Sequence, residues 1–421
     1  MSFNRSKCGL VPEIVEQAGA FSALRRDLHA HPELSYEEHR TSRLVLERLR
    51  SWGIEAHQGL AGTGVVGVLR AGESSRRIGL RADMDALPVT EANQFAHAST
   101  QPGKMHACGH DGHTVMLLAA AKHLAETKAF DGQVVFIFQP AEERGAGAQR
   151  MIQEGLFEKY PCDVVFGIHN WPGVPANSFA VRPGPMMAGT AGFEITVCGR
   201  SSHAAMPHLG VDTILVACQI ASSLQLLVSR ELNPVETAVV SITQIHGGDT
   251  MNAIPDKVGL KGTVRAFSDQ VFAQIESGMR RMAGQISAAF DASVEIRFTR
   301  NYPPTINDEV QTEFAVRVMK QVCGDDAVRV DAPLTMAAED FAYMLQTKPG
   351  CYALLGNGSG DHREPDHGGG PCMLHNSSYD FNDDLIATGA SYWVRLVEAY
   401  LVPVPASRAT HAAPEQVALE Q

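Results

Sequence analysis

Two runs constrain this chain more than anything else in it: Gln133-Val-Val-Phe-Ile-Phe138 and Asp163-Val-Val-Phe-Gly-Ile168. Each is apolar almost without a break, with no polar residue at alternate positions. That pattern belongs to strands covered on both faces, the usual state of parallel strands packed under helices. The first run ends in Gln139-Pro-Ala-Glu-Glu143 and the second in His169-Asn-Trp-Pro. Adjacent carboxylates at the mouth of a buried strand are costly unless something cationic holds them. Val65 to Leu69 and Arg77 to Leu80 also read as short strands. The second of these continues into Arg81-Ala-Asp-Met-Asp-Ala-Leu-Pro88, which puts Asp83 and Asp85 at a strand end. Ligands of open α/β sheets bind at that end. For this pair alone, a turn with aspartate caps competes equally.

Between these strands lies Lys104-Met-His-Ala-Cys-Gly-His-Asp-Gly-His113, followed by a helical apolar run from Val115 to Leu124. It gathers His106, Cys108, His110, Asp111 and His113 at the mouth of a buried helix. Thiolate, imidazole and carboxylate are the ligands of zinc and its neighbours. A turn of satisfied polar residues with one buried thiol is the competing reading. If the strands are parallel, Asp83/Asp85, Cys108/His110, Glu142/Glu143 and His169 converge on one edge of the sheet. That convergence favours a metal site more than any single motif does.

With 421 residues, 44% of them hydrophobic, the chain can build two domains or one large domain with an insertion. Its formal charge of −12 is spread without a basic block, which argues against a nucleic-acid partner. Eight scattered cysteines, none in a CxxC pair, suit a reducing cytoplasm. The first residues carry no apolar targeting core, and no apolar run is read as long enough to span a bilayer. The tail after Pro403 is expected to be loose.

Residues 11–52 read as helix, broken at His31-Pro32. Residues 183–189, rich in Gly and Pro, mark a boundary. Beyond it Phe193, Ile195 and Val197 alternate with polar residues, and the order becomes βαββαβ, a ferredoxin-like α+β unit. This divides the chain into a discontinuous domain, 1–187 and 303–421, and an inserted one, 188–302. The resumed part gives a helix at 307–323, a strand at 351–355 and a last helix at about 383–401. His375 sits just outside ordered structure, while His362 and His367 lie in a polar Gly-rich loop and read as exposed.

Several segments, taken together, resemble the co-catalytic metallohydrolases that include aminoacylase. They are Arg25-Arg-Asp-Leu-His-Ala-His-Pro-Glu-Leu, Leu80 to Pro88, Met105 to His113, Phe138 to Glu143 and Gly167-Ile-His-Asn170. Ser201 to His208, Asn252-Ala-Ile-Pro255, Ala338-Glu-Asp-Phe341 and Leu374-His-Asn376 fit as well. The match is colinear over roughly 20–400. Within the family it is most similar to the amidohydrolase branch containing hippurate hydrolase and the plant auxin-conjugate hydrolases. The wider family has His-x-Asp where this chain has Asp83-Met-Asp85, a departure that the branch shares.

The resemblance implies a mostly parallel-sheet two-metal hydrolase domain of α/β class, with the inserted unit as lid and dimerisation domain. Cys108, His110, Glu143, His169 and His375 would hold two divalent ions per subunit, Zn, Mn, Co or Ni. Glu142 would be the general base and Asp85 a support that orients an imidazole. His203 would stabilise the oxyanion in the partner subunit's site, and Asn252 would touch substrate. Arg265 is expected to pair with a substrate carboxylate, with a plain surface arginine as the alternative. The expected reaction is hydrolysis of N-acyl amino acids, hippurate-like or N-acetylated, by a homodimer without membrane or nucleic-acid partners. A dipeptidase or carboxypeptidase on the same fold is the first alternative. A non-catalytic binding protein is the second, though it has no use for Glu142. A thiol hydrolase using Cys108 is a further variant, one that would survive metal removal.

Overall fold

The computed structural model describes residues 9–402, so Cys8 and the tail expected to be loose lie outside the described residues. Helices α1 (Pro12–Ala30) and α2 (His39–Ser51) lead into strands β1 (Glu55–Leu60), β2 (Gly64–Ala71) and β3 (Arg77–Asp83). Helix α3 (His110–Thr127), strand β4 (Gly132–Gln139) and short helices α4 (Gly147–Gln153) and α5 (Leu156–Lys159) follow. Next come β5 (Val164–Pro172), β6 (Phe179–Ala180), β7 (Gly184–Met187), β8 (Gly189–Cys198), β9 (Ser202–His203) and α6 (Thr213–Leu226). Strands β10 (Ala238–His246), β11 (Ala253–Ile254) and β12 (Lys257–Ala266), helix α7 (Asp269–Ala289) and strand β13 (Ser293–Arg300) succeed them. The last elements are β14 (Thr305–Asn307), α8 (Glu309–Cys323), β15 (Val328–Arg329), α9 (Ala342–Thr347), β16 (Gly350–Gly358) and α10 (Leu385–Tyr400).

Eight strands form the large sheet, in the order β1-β2-β4-β3-β5-β16-β6-β15. Its four central strands, β4, β3, β5 and β16, run parallel, so their C-terminal ends share one edge. Every residue of β4 is buried, as its unbroken apolar run requires. The two-residue period of a strand divides that run between two cores. Val134, Phe136 and Phe138 join Leu28 of α1, Leu117 of α3, Met319 of α8 and Trp393 of α10. Val135 and Ile137 face the other way, with Val165, Leu354, Met151 of α4 and Met344 of α9. The flank is antiparallel: β1 pairs with β2, and β2 with β4. Strand β1 is absent from the sequence reading because Glu-Ala-His-Gln-Gly-Leu buries only Ala56 and carries no period-two signal.

A second sheet, β10-β12-β8-β13, is antiparallel throughout, and α6 and α7 cover one of its faces. Phe193, Ile195 and Val197 pack there against Ile220, Leu224, Phe272 and Met279. Side-chain caps start both helices: Asp212 accepts from Leu215 N and Ser268 from Val271 N. One expectation needs correcting here. Thr213–Glu231, which is α6 with the turn after it, has a mean hydropathy of 1.3 and is long and apolar enough to cross a membrane by length and composition. The length arises because a π turn at Leu227–Glu231 prolongs α6. Val216, Ala217, Ile220 and Leu224 of this helix pack onto the four-stranded sheet, while Ile214, Leu215 and Leu226 stay exposed.

Candidate metal centre

The loop between β3 and α3 presents Cys108 and His110 through Gly109, which caps α3 in a left-handed conformation (φ 91°). A Cβ at Gly109 would lie 2.3 Å from Asn170 Oδ1 and 2.6 Å from the Tyr379 hydroxyl, so only glycine fits the turn. The Cys108 thiol lies 3.3 Å from His169 Nε2, on the last turns of β5. His169 Nδ1 is 2.6 Å from the Asn170 carbonyl, and donating there leaves the Nε2 lone pair aimed at the cluster. His375 enters from the loop before α10. Its backbone N–H donates to Ala107 O at 2.8 Å, and its Nε2 stands 3.2 Å from Glu143 Oε1. His375 and Ala141, the residue before the glutamate pair, both hold left-handed backbone (φ 62° and 55°), strain of the kind stored at functional sites.

Asp85 ties the pieces together. Its carboxylate accepts from Glu142 N at 3.1 Å, Glu143 N at 3.0 Å and the Ser35 hydroxyl at 2.7 Å, and it meets His110 Nδ1 at 3.2 Å. His110 Nε2 thereby stands 3.7 Å from Asp83 Oδ2 and 4.0 Å from Glu143 Oε1. Burial opposes the His110 cation, but Asp83 and Asp85 raise its pKa to about 10. Burial, then Glu143 and Glu142, push the Cys108 thiol well up. Burial, then Glu339 and Glu143, push the Glu142 carboxyl well up. Burial, with His113 adding to it, pulls His169 well down.

These residues fit a bound cation. His110 Nε2 and Glu143 Oε1 are buried without a hydrogen-bond partner, an expensive state for an imidazole and a carboxylate. Ligand atoms of Cys108, His110 and His169, of Cys108, Glu143 and His375, and of His110, Glu142 and Glu143 each lie within 4.8 Å of one another. The three sets share members and so describe one continuous cluster. Glu142, Glu339 and Asp340 form a similar acidic trio, but a side chain already compensates it. Arg81 donates to Glu339 at 2.9 Å and to Asp340 at 3.0 Å, and also to Asp83 at 2.8 Å.

Asp83 and His113 also come within 4.8 Å of the His110 ligand atom, but they are engaged with other groups. His113 is occupied at both nitrogens, by Asp83 at 2.6 Å and by Asn170 at 2.7 Å. His106 is buried, and its burial lowers its pKa to about 4. His367 is exposed as expected, whereas His362 is half-buried, with Nε2 on the Asp380 carbonyl at 3.1 Å. Arg265 is no plain surface arginine: it lines the cavity over the cluster and donates to Met336 O at 3.2 Å. His203 and Asn252 do not line that cavity. They sit together on the β9/β11 ribbon, where His203 pairs with Ala253 and Asn252 O accepts from Ala204 N. The cavity, about 710 Å³, also takes Trp171, Arg300, Tyr302 and Glu339 into its wall. Tyr302 donates its hydroxyl to Glu142 O. Sequence reasoning gave these four no role. Glu339 carried the clearest signal, since it lies in the Ala338-Glu-Asp-Phe341 segment of the resemblance, and Trp171 stands two residues from His169.

A parallel sheet whose C-terminal edge collects acids, imidazoles and a thiol defines a metal-dependent hydrolase. The family model of Peptidase family M20/M25/M40 matches residues 79–399. Hippurate hydrolase of Campylobacter jejuni is 40% identical, over 93% of this chain and 99% of that protein. IAA-amino acid hydrolase ILR1-like 2 of Arabidopsis thaliana is 38% identical, over 90% of this chain and 84% of that one. The crystal structure of the Bacillus subtilis YXEP protein, described as a dinuclear metal binding peptidase, superposes with a TM-score of 0.79. It is 31% identical and covers 92% of this chain and 99% of its own. The chain belongs to Peptidase family M20/M25/M40.

Proposed function

We propose that this enzyme hydrolyses the amide bond of N-acyl amino acids, releasing a carboxylic acid and a free amino acid. One observation carries the reading: the overlapping donor sets built from Cys108, His110, Glu143, His169 and His375 place a second, buried glutamate, Glu142, among them. Cys108, His110, Glu143, His169 and His375 would hold two divalent ions, drawn from Zn, Mn, Co and Ni, which would supply Lewis acidity for the carbonyl and for water. Glu142 removes the proton of the attacking water and returns it to the leaving nitrogen. Asp85 fixes the His110 ring and the backbone of the glutamate pair. Arg265 binds the substrate carboxylate from the cavity wall.

In the same reading residues 188–302 are a lid and dimerisation domain, set between 1–187 and 303–421. His203 serves the partner subunit's site as the oxyanion donor, and Asn252 contacts substrate there. Exposed Met206, Leu209 and Met251 beside this ribbon, and Val239 and Ile245 on edge strand β10, support a surface that meets a second copy. The eight cysteines are scattered, with none in a CxxC pair, which supports a cytoplasmic compartment.

The name peptidase on the YXEP structure favours a second reading, cleavage of dipeptides or peptide C-termini. A panel of N-acetyl, N-benzoyl and indole-acyl amino acids beside dipeptides with a free α-amine separates the two. Faster cleavage of the acylated set is expected. Cleavage confined to the free-amine set would transfer the enzyme to the second reading.

A further inference from the structure

A second cavity, about 1110 Å³, adjoins the metal centre over β6 and the edge strand β15. Val174, Pro175, Phe179, Ala327, Leu334 and Leu354 give it apolar walls. Trp171 lines both cavities, and the consecutive residues Thr335 and Met336 line one each. The two cavities therefore meet at Trp171 and at the Thr335–Met336 step. The backbone part is pinned: Thr335 N donates to Met186 O at 3.2 Å and Ala188 N to Thr335 O at 3.0 Å. The Trp171 ring packs against the ring of His169, with centroids 5.9 Å apart.

We infer that this second cavity holds the acyl arm of the substrate, and that the arm it suits is a long uncharged hydrocarbon chain. The inference rests on the N-acyl amidohydrolase reading and names the class of acyl group. The two cavities sort the substrate's parts by polarity. Glu142, Glu143 and Glu339, with Arg265 and Arg300, line the first, where hydrocarbon would strip water from charges and return nothing. The second offers apolar contact, and Leu334 in its wall is 41% exposed while nothing covers it. Asp325 and Asp326 line it as well, and Arg329 beside them is paired with Asp331 at 2.9 Å. Lys320 stands 3.6 Å from Asp325, and the acidic surplus left at Asp326 disfavours a substrate's carboxylate end and leaves the acyl end as the occupant. The carboxylate end then turns toward Arg265 and Arg300.

The test is kcat/KM along N-acetyl-, N-hexanoyl-, N-decanoyl- and N-lauroylglycine, with binding of dodecanoate followed by Trp171 fluorescence against Trp171→Phe. Burial of each added methylene predicts a rise of about two- to fourfold until the cavity is full. Ala327→Trp, which fills the far wall, should cut the lauroyl-to-acetyl ratio tenfold or more. Ala176→Trp does the same from the other side should the first variant fold poorly. A flat chain-length series, or a ratio that neither variant moves, overturns the inference. So does a series of N-acetyl amino acids in which side-chain length, and not acyl length, responds to the fillings. If no N-acylglycine is cleaved, the parent reading fails and dodecanoate decides the cavity alone. Quenching of Trp171 that Ala327→Trp weakens keeps the inference; no quenching ends it.

Discussion

The two largest sheets among the described residues use their edges differently. In the large sheet the parallel strands are buried on both faces, and their C-terminal ends carry the charged residues that the core cannot take. Cys108, Glu142, Glu143 and His169 meet there, and His375 closes over them from a distant loop. The four-stranded sheet buries one face only. His203 and Asn252 stand on a neighbouring exposed ribbon away from the cavity, and Thr190, Arg265 and Arg300 of the sheet reach the cavity wall. The first region concentrates a chemistry within one chain. On the proposed reading, the second holds groups that act once a second copy brings its surface to the site.

That contrast can be attacked at both ends. Glu142→Gln should keep its metal and lose turnover by about 10²- to 10⁴-fold, the range of a positioned acid-base group. Near-native turnover at unchanged metal content would remove Glu142 from the chemistry. His203→Ala should also bind metal normally and lose about 10²-fold in kcat, as for an oxyanion donor. Mixing it with Glu142→Gln subunits should restore activity, because each heterodimer keeps one site with Glu142 and a partner's His203. Subunits that demonstrably exchange yet stay inactive would erase the contrast, and so would an active monomer. Cys108→Ala should lower metal content and activity together, with metal affinity falling about 10- to 100-fold or more. Full metallation with full activity would make Cys108 a buried thiol and nothing else. The smallest effect is expected of Arg265→Ala, a rise in KM of about tenfold with kcat little changed, the mark of lost ground-state binding. A fall in kcat at constant KM would assign Arg265 another role.

The large sheet was legible for a physical reason. A run such as Val134 to Phe138 has one stable use, and the polar residues after it must then gather at the sheet's edge. The second sheet was legible through alternation at Phe193, Ile195 and Val197. Strand direction was less accessible: nothing in Val65 to Leu69 says that β2 runs against β4. Nor could spacing tell a ligand from a supporting histidine. His110 and His113 are three residues apart on one helix, yet Asp83 and Asn170 occupy both nitrogens of His113, while His110 Nε2 is left free of hydrogen bonds. Those partners come from β3 and β5, far along the chain. Tyr302 and Glu339 were missed on the same ground, because they reach the cavity only once the chain has returned from the second sheet.

Metal removal tests the central claim most directly. The wild-type enzyme is stripped with a chelator, assayed on N-benzoylglycine, then titrated with Mn²⁺ or Zn²⁺ while bound metal is counted. The account predicts activity at background in the stripped enzyme, returning as metal is restored and complete at two ions per chain. Full activity in protein shown to be metal-free would contradict it and hand the reaction to the Cys108 thiol.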